Sequence, residues 1–395
     1  MIAMLMWLAG RLLRLVPEPM LGRLLPGWLR FGPADVPGPP VAPDARVRLY
    51  VGPVNWAGQG WQWAKAAQEF VAGVGAIDMA YLLPTDFSFP ADNVVPAGVY
   101  ALSRRWQRAQ YDAVRTGFTH LLIEAERQPF GAILDESVRS QVDRILRDGI
   151  QVAMVCHGSD IRLPSRHAAT NPDSPFHRSI LATTPKLERE ARRNRALLDR
   201  LALPVFVSTP DLLIDVPEGT WLPVVIDLAA WASDVVPLER DVPVVVHAPS
   251  RGPMKGSDLI DPILERLDAE RVVEYRRVAG VAFEEMRSLY RDADIVLDQF
   301  RVGDYGVAAS EAMAAGRVVV GHVSDHSRYH VKAATGLELP IVEATAHELE
   351  AVIRSILSDR DRYRALATRG VEFARAVHSG RRSGEALAPF LGVEG

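Results

Sequence analysis

The sequence predicts an α/β protein of two Rossmann-like, doubly wound domains facing each other across a cleft, with a helical N-terminal extension. Three observations predict it. Apolar runs of strand length alternate with helix-length segments in two separate series, one opening near Arg46 and the other at Val242. Such alternation marks a parallel sheet with helices on both faces. The length of 395 residues suits two domains better than one. Between the series, residues 222–241 carry Pro223 and Pro237 at their edges, as a hinge would.

The elements follow in order. Residues 1–43 form the N-terminal helical extension and a linker, because the stretch 33–43 (PADVPGPPVAP) is too rich in proline for a helix or a central strand. The N-terminal domain, 44–225, is expected to place strands at 46–51, 77–83, 120–123, 152–156, 180–182 and 205–207, with helices that include 61–71, 134–148 and 186–201. The C-terminal domain, 226–377, is expected to place strands at 242–247, 272–278, 295–297, 318–320 and 339–342. Its helices are expected at 258–267, 283–291, 307–315, 346–357 and 361–377. Residues 378–395 form a tail returning to the N-terminal domain.

Composition narrows the function. With 45 Lys and Arg against 49 Asp and Glu, the net charge is -4, which argues against a nucleic-acid partner. The single cysteine, Cys156, excludes a disulfide framework and fits a reducing cytoplasm. The first 32 residues are apolar and carry Arg11, Arg14, Arg23 and Arg30. Their unbroken apolar run, 1–10, is shorter than the roughly 20 residues a membrane span needs. The basic residues follow that run instead of preceding it, unlike a secretory signal. The segment reads either as a helix packed on its own domain or as a basic anchor resting on an anionic membrane face.

In an open parallel sheet, ligands bind beyond the C-terminal ends of the strands, so the loops after strands are the candidates. The first such loop of the second series, 248–256 (APSRGPMKG), places Arg251 and Lys255 among small residues just ahead of a helix. Exposed backbone N–H groups, a helix dipole and two cations suit a diphosphate. A second loop brings Gly280, where a flat base can approach the backbone. A third, 299–306, leads into VAASEAMAAG, with Asp304 and Tyr305 beside it and Gly306 at the helix start. Glu311 is the only charge on that helix, so it is buried and needs partners, which two vicinal ribose hydroxyls would supply. In the first series, the Gly-rich loop 52–60 (GPVNWAGQG) brings Asn55, Gly58, Gln59 and Gly60 to the cleft, in a spacing unlike the dinucleotide fingerprint. The run HGSDIR places His157 and Asp160 directly after a buried-type strand. Asp292 and Asp294 have the D-x-D spacing of some metal sites, but they sit where a helix runs into a strand and read as turn and cap residues. No metal is called for.

On these residues the chain resembles a GT-B glycosyltransferase of the family-four type. The matching motifs are SRGPMKGSD, LYRDADIVLDQ and YGVAASEAMAAGRVVV, with WLPVVIDLAAW at the hinge, and the resemblance spans 46–377. It implies transfer of a sugar from a nucleotide diphosphate donor to a glycan, glycolipid or lipid-linked saccharide, with retention and without metal or cofactor. Arg251, Lys255 and Gly306 would hold the diphosphate and Glu311 the ribose. Gly280, Asp304 and Tyr305 would lie near the base or sugar, and His157 and Asp160 would be catalytic. The chain departs from the family's E-x7-E pattern, since the first Glu falls at Gly303, with Asp304 one position out of register. Two alternatives stay open: a sugar-nucleotide epimerase of the same fold, and a non-catalytic nucleotide-sugar-binding protein. The expected location is cytoplasmic, with peripheral contact to the inner face of the cell membrane.

Overall fold

In the computed structural model, the described residues are 27–83, 89–132, 136–177, 179–249, 252–278, 280–281 and 283–393, with Val16 and Met20. The chain carries two parallel sheets. The first contains β1 (Val47–Gly52), β2 (Val74–Leu82), β3 (Asn93–Pro96), β4 (His120–Glu124), β5 (Gln151–Cys156), β6 (Val205–Val207) and β7 (Thr220–Trp221), in the order β3-β2-β1-β4-β5-β6-β7. The second contains β8 (Val244–His247), β9 (Glu274–Arg277), β10 (Ile295–Leu297), β11 (Val318–Gly321) and β12 (Val342–Glu343), in the order β12-β11-β10-β8-β9. The two-sheet α/β architecture agrees with the sequence expectation.

The second sheet shows why these runs become strands. Val244 and Val246 of β8, Val296 of β10 and Val319 of β11 join one apolar cluster with Trp231, Tyr290, Met313 and Phe373. Their chain neighbours Val245, Ile295, Leu297, Val318 and Val320 join another with Ile260, Leu264, Leu349 and Ile353. Successive side chains point to opposite faces of a strand, so a run apolar at every position is buried on both faces under two layers of helices. Register follows: Ile295 lies beside Val245 on one side and Val318 on the other. Gly321 is the last residue of β11, and a Cβ there would meet the Gln299 carbonyl oxygen at 3.0 Å.

The chain divides into two compact units. One comprises Met1–Val155, Arg200–Pro204 and Leu387–Gly395, and the other Cys156–Asp199 and Val205–Ala386. Residues 387–395 thus belong with the first unit, where the Phe390 ring meets His120 edge-on at 5.1 Å. The expected boundary at 225–226 falls inside the second of these units, between β7 and β8.

Several expected elements change. The strand expected at 180–182 is a turn: the Ile180 and Leu181 amides both donate to the His177 carbonyl, leading into the Thr184–Leu201 helix. The helix expected from 134 is described as Val138–Arg147, capped by Ser137. The strand expected at 339–342 shrinks to β12 at Val342–Glu343. Most of the N-terminal extension lies outside the described residues. Of it, Gly27–Leu29 and Pro33–Asp35 form 3-10 turns. Among the described residues, no helix is long and apolar enough to cross a membrane.

Candidate functional site

The second unit's site grows from the C-terminal ends of β8, β10 and β11. Gly252–Lys255 is a single helical turn, and Gly256 follows at φ +82°, a left-handed conformation suited to glycine. A Cβ at Gly256 would meet Arg301 Cγ at 3.1 Å and Phe300 Cβ at 3.3 Å. The Lys255 carbonyl accepts from the Phe300 amide at 2.9 Å, which ties this turn to the loop after β10. Arg251 lies outside the described residues.

Lys255 is half-buried, and its Nζ donates to Asp298 Oδ1 at 2.5 Å. Asp298, the first residue after β10, is a partner that the sequence reading did not name. His247 at the end of β8 is wholly buried; its Nδ1 pairs with the Leu297 carbonyl at 3.1 Å and its Nε2 with Ser257 Oγ at 2.9 Å. Burial lowers its pKa, favouring the neutral ring that braces the two strands and the helix start.

Glu311 sits on the Val307–Ala314 helix, buried at 9% exposure among Ala309, Ala312 and Met313. Burial pushes its pKa up to about 8, Arg287 and Lys255 pull it down, and Asp298 pushes it further up. Glu311, Asp298, Lys255 and Arg287 therefore share one electrostatic neighbourhood. Gly306 is the N-cap of this helix and offers no side-chain cap, and a Cβ there would meet nothing within 4 Å. The first-turn N–H groups and the helix dipole suit an anion. Gly280, at φ +70°, likewise has open space where a Cβ would stand.

Asp304 and Tyr305 both have their side chains in the interior. Asp304 is 2% exposed; its Oδ2 accepts from the Asp211 amide at 2.9 Å and its Oδ1 from the Tyr305 amide at 2.7 Å. Burial beside the Asp211 carboxylate holds its pKa well above the ordinary range. Asp211 in turn takes Arg162 Nε at 2.7 Å and Thr209 Oγ1 at 2.7 Å. The same stretch is gripped twice more: His167 Nε2 pairs with the Val302 carbonyl at 2.9 Å, and Asn171 Nδ2 donates to the Arg301 carbonyl at 2.7 Å. Tyr305 is buried, its hydroxyl pKa raised by desolvation. Gly303 lies between these anchors at φ +76°, and a Cβ there would stand 3.6 Å from His322 Nε2.

Asp160 spends its carboxylate on its own loop, accepting from the His157 amide at 2.9 Å and the Gly158 amide at 2.5 Å. His157 is half-buried, and its carbonyl accepts from Ser208 Oγ at 3.1 Å. The D-x-D carboxylates make contacts other than the turn and cap bonds expected of them. Asp294 accepts from the Leu238 and Val244 amides at 2.6 and 2.7 Å, and Asp292 pairs with Arg240 and Arg276.

In the first unit, the Gly-rich loop is organised by Glu124 at the end of β4. Its Oε2 accepts from the Val54 and Asn55 amides, each at 3.0 Å. A Cβ on Gly60 would meet both Glu124 oxygens at 3.0 Å, so glycine there lets the carboxylate reach the loop. Asn55 takes a left-handed conformation (φ 47°), donates to the Pro90 carbonyl at 2.8 Å and accepts from the Trp61 amide at 3.0 Å. Gly58 is also left-handed, at φ 73°, and Gln59 is buried, with its Nε2 donating to the Ala57 carbonyl at 3.3 Å.

No family model and no curated protein sequence matches the chain. Solved structures do. Sucrose-phosphate synthase from Thermosynechococcus elongatus superimposes with a TM-score of 0.51 at 15% identity, over 86% of this chain and 97% of that one. Anabaena Alr3699/HepE in complex with UDP and glucose gives a TM-score of 0.54 at 13% identity, over 87% and 98% of the two chains. The same protein in complex with UDP-glucose gives 0.53 at 13% identity, again over 87% and 98%. Likeness at such identities speaks for architecture: two Rossmann-like α/β domains, the GT-B fold.

Proposed function

We propose that this protein is a glycosyltransferase that moves a hexosyl group from a nucleoside diphosphate sugar to a hydroxyl of a glycan, glycolipid or lipid-linked saccharide. The observation that carries the reading is Glu311: a buried carboxyl on an otherwise apolar helix, within electrostatic reach of Arg287 and Lys255 and five residues after an uncapped helix start. A buried carboxylate calls for donors, and two ribose hydroxyls supply them. Lys255, the Gly306 helix start and Arg251 would take the diphosphate, which supplies the neutralising charge without a metal. Supporting this, the similar Anabaena protein was solved with UDP and with UDP-glucose.

In the reaction, the bond between the anomeric carbon and the leaving phosphate oxygen breaks as the acceptor oxygen bonds to that carbon. The acceptor's proton passes to the departing phosphate, and configuration is retained. Charge on the departing diphosphate is what the site must stabilise, and fixed donors do this at no reorganisation cost. His157 would reach the sugar or the acceptor. Residues 44–225 would form the acceptor-side domain and 226–377 the donor domain.

The test is a thermal-shift screen of wild type and Glu311→Ala against UDP, ADP and GDP, since a ligand of the folded state raises apparent stability with its affinity. At least one diphosphate is expected to raise the wild-type midpoint and to raise the variant's clearly less. No shift with any of them would overturn the reading. For the N-terminal segment, we propose peripheral contact with anionic membrane on the cytoplasmic side. Flotation with anionic liposomes should be lost on deleting 1–43, and equal flotation of both chains would refute the anchor.

A further inference from the structure

Asp298 holds an atom that its ion pair leaves unexplained. The residue is 5% exposed. Its Oδ1 accepts from Lys255 Nζ at 2.5 Å, while its Oδ2 is buried and has no hydrogen-bond partner among the described residues. An unpaired buried acceptor is costly, and native interiors fill nearly all of them. The opposite end of the same strand shows what filling looks like. Asp294, just before β10, accepts from the Leu238 and Val244 amides and from Arg240 through its two oxygens. Asp160 and Asp304 have both oxygens occupied as well. Among these carboxylates, the one with an open oxygen stands at the C-terminal edge of the sheet, where ligands of such sheets bind.

We infer that Asp298 is a specificity-determining residue, whose Oδ2 accepts a hydrogen bond from a hydroxyl of the transferred sugar. The inference rests on the proposed nucleotide-sugar reading. Lys255 has three N–H donors and can hold Asp298 Oδ1 and a phosphate oxygen together. The sugar is bonded to that phosphate, so the carboxylate on the lysine's other side lies within reach of a sugar hydroxyl. The chemistry sorts the two parts of the donor: a carboxylate repels phosphate and accepts from hydroxyl. Glu311, which shares the electrostatic neighbourhood of Asp298, serves the ribose by the same logic.

The experiment compares affinities for parent diphosphates and for UDP-, ADP- and GDP-hexoses in wild type and Asp298→Asn. The wild type should favour one sugar nucleotide over its parent diphosphate. Asp298→Asn should cut that preference by about tenfold to a hundredfold, the size of a hydrogen bond to a charged group. Its affinity for the parent diphosphate should hold or tighten, since a negative charge beside the phosphate is gone. Deoxy forms of the preferred donor, tested on wild type, need no folded variant. Loss of one hydroxyl should reproduce the effect, and Asp298→Asn should be indifferent to that same loss. An unchanged preference in the variant overturns the inference. So does equal loss of sugar nucleotide and parent diphosphate, which marks Asp298 as a mere holder of Lys255. Wild type that favours no sugar nucleotide over its parent overturns it too. Wild type that binds no nucleotide at all overturns the underlying reading and this inference with it.

Discussion

Replacing Glu311 by Gln tests the site through its energetics before any acceptor is known. The carboxyl's pKa rises from an ordinary 4.5 to about 8, chiefly because it is buried. Between those values the folded chain binds more protons than the unfolded one. Stability is therefore fully present below the unfolded value and is lost as pH rises through the folded one. Each pH unit in that window costs about 1.4 kcal/mol, so Glu311 destabilises the nucleotide-free protein by ~3 kcal/mol at pH 7 and by ~5 kcal/mol above pH 8. Glutamine is neutral throughout. Urea unfolding should give equal stability for wild type and Glu311→Gln at pH 4.5, and a variant more stable by several kcal/mol at pH 8.5. Nucleotide should reverse the order. Ribose hydroxyls favour the ionised carboxylate, so wild type should release part of a proton on binding at pH 7, measurable by calorimetry in buffers of different ionisation heat. Parallel pH–stability curves with no proton release would mean that Glu311 is already ionised and internally neutralised. The ribose assignment would then lose its energetic basis.

Other outcomes follow from the same geometry. Lys255→Ala should lower kcat by about 10²–10³, the usual effect of removing one fixed charge-stabilising donor, and should also lower the unfolding midpoint by stripping Asp298 of its only hydrogen-bonded partner among the described side chains. Arg162→Met should cost about 3–5 kcal/mol in denaturant unfolding, because it leaves Asp211 buried without its cation. Gly60→Ala should cost about 1–3 kcal/mol by forcing Glu124 away from the Val54 and Asn55 amides. An unchanged midpoint would show that the loop holds itself.

Much of the fold was legible because its central strands are short apolar runs that only a doubly covered sheet can bury. VVVH, IVL and VVVG read as strands without further help. Asn93–Pro96 and Thr220–Trp221 were not legible: each is short, and proline, asparagine or threonine breaks its apolar pattern. Ile180–Leu181–Ala182 looked like a strand on composition alone, but its amides found turn partners three and four residues back. At the site, Lys255 and Glu311 stood out because local context makes each unusual. The partners that give them meaning did not. Asp298 is 43 residues from Lys255, and Asp211 is 93 from Asp304. Sequence reading saw Asp304 as a near miss for a family carboxylate, whereas the chain uses it to secure a loop.

That anchoring bears on how nucleotide would be received. The backbone from Arg301 to Tyr305 is held by Asn171, His167 and the Arg162–Asp211–Asp304 chain, and freeing it would uncover a buried guanidinium. The amides of Asp211 and Tyr305, both donated to Asp304, should resist hydrogen exchange until the whole unit opens. A loop already ordered at folding adds no ordering entropy to the cost of binding. Association should accordingly be a single fast step, with no slow phase as a flap settles.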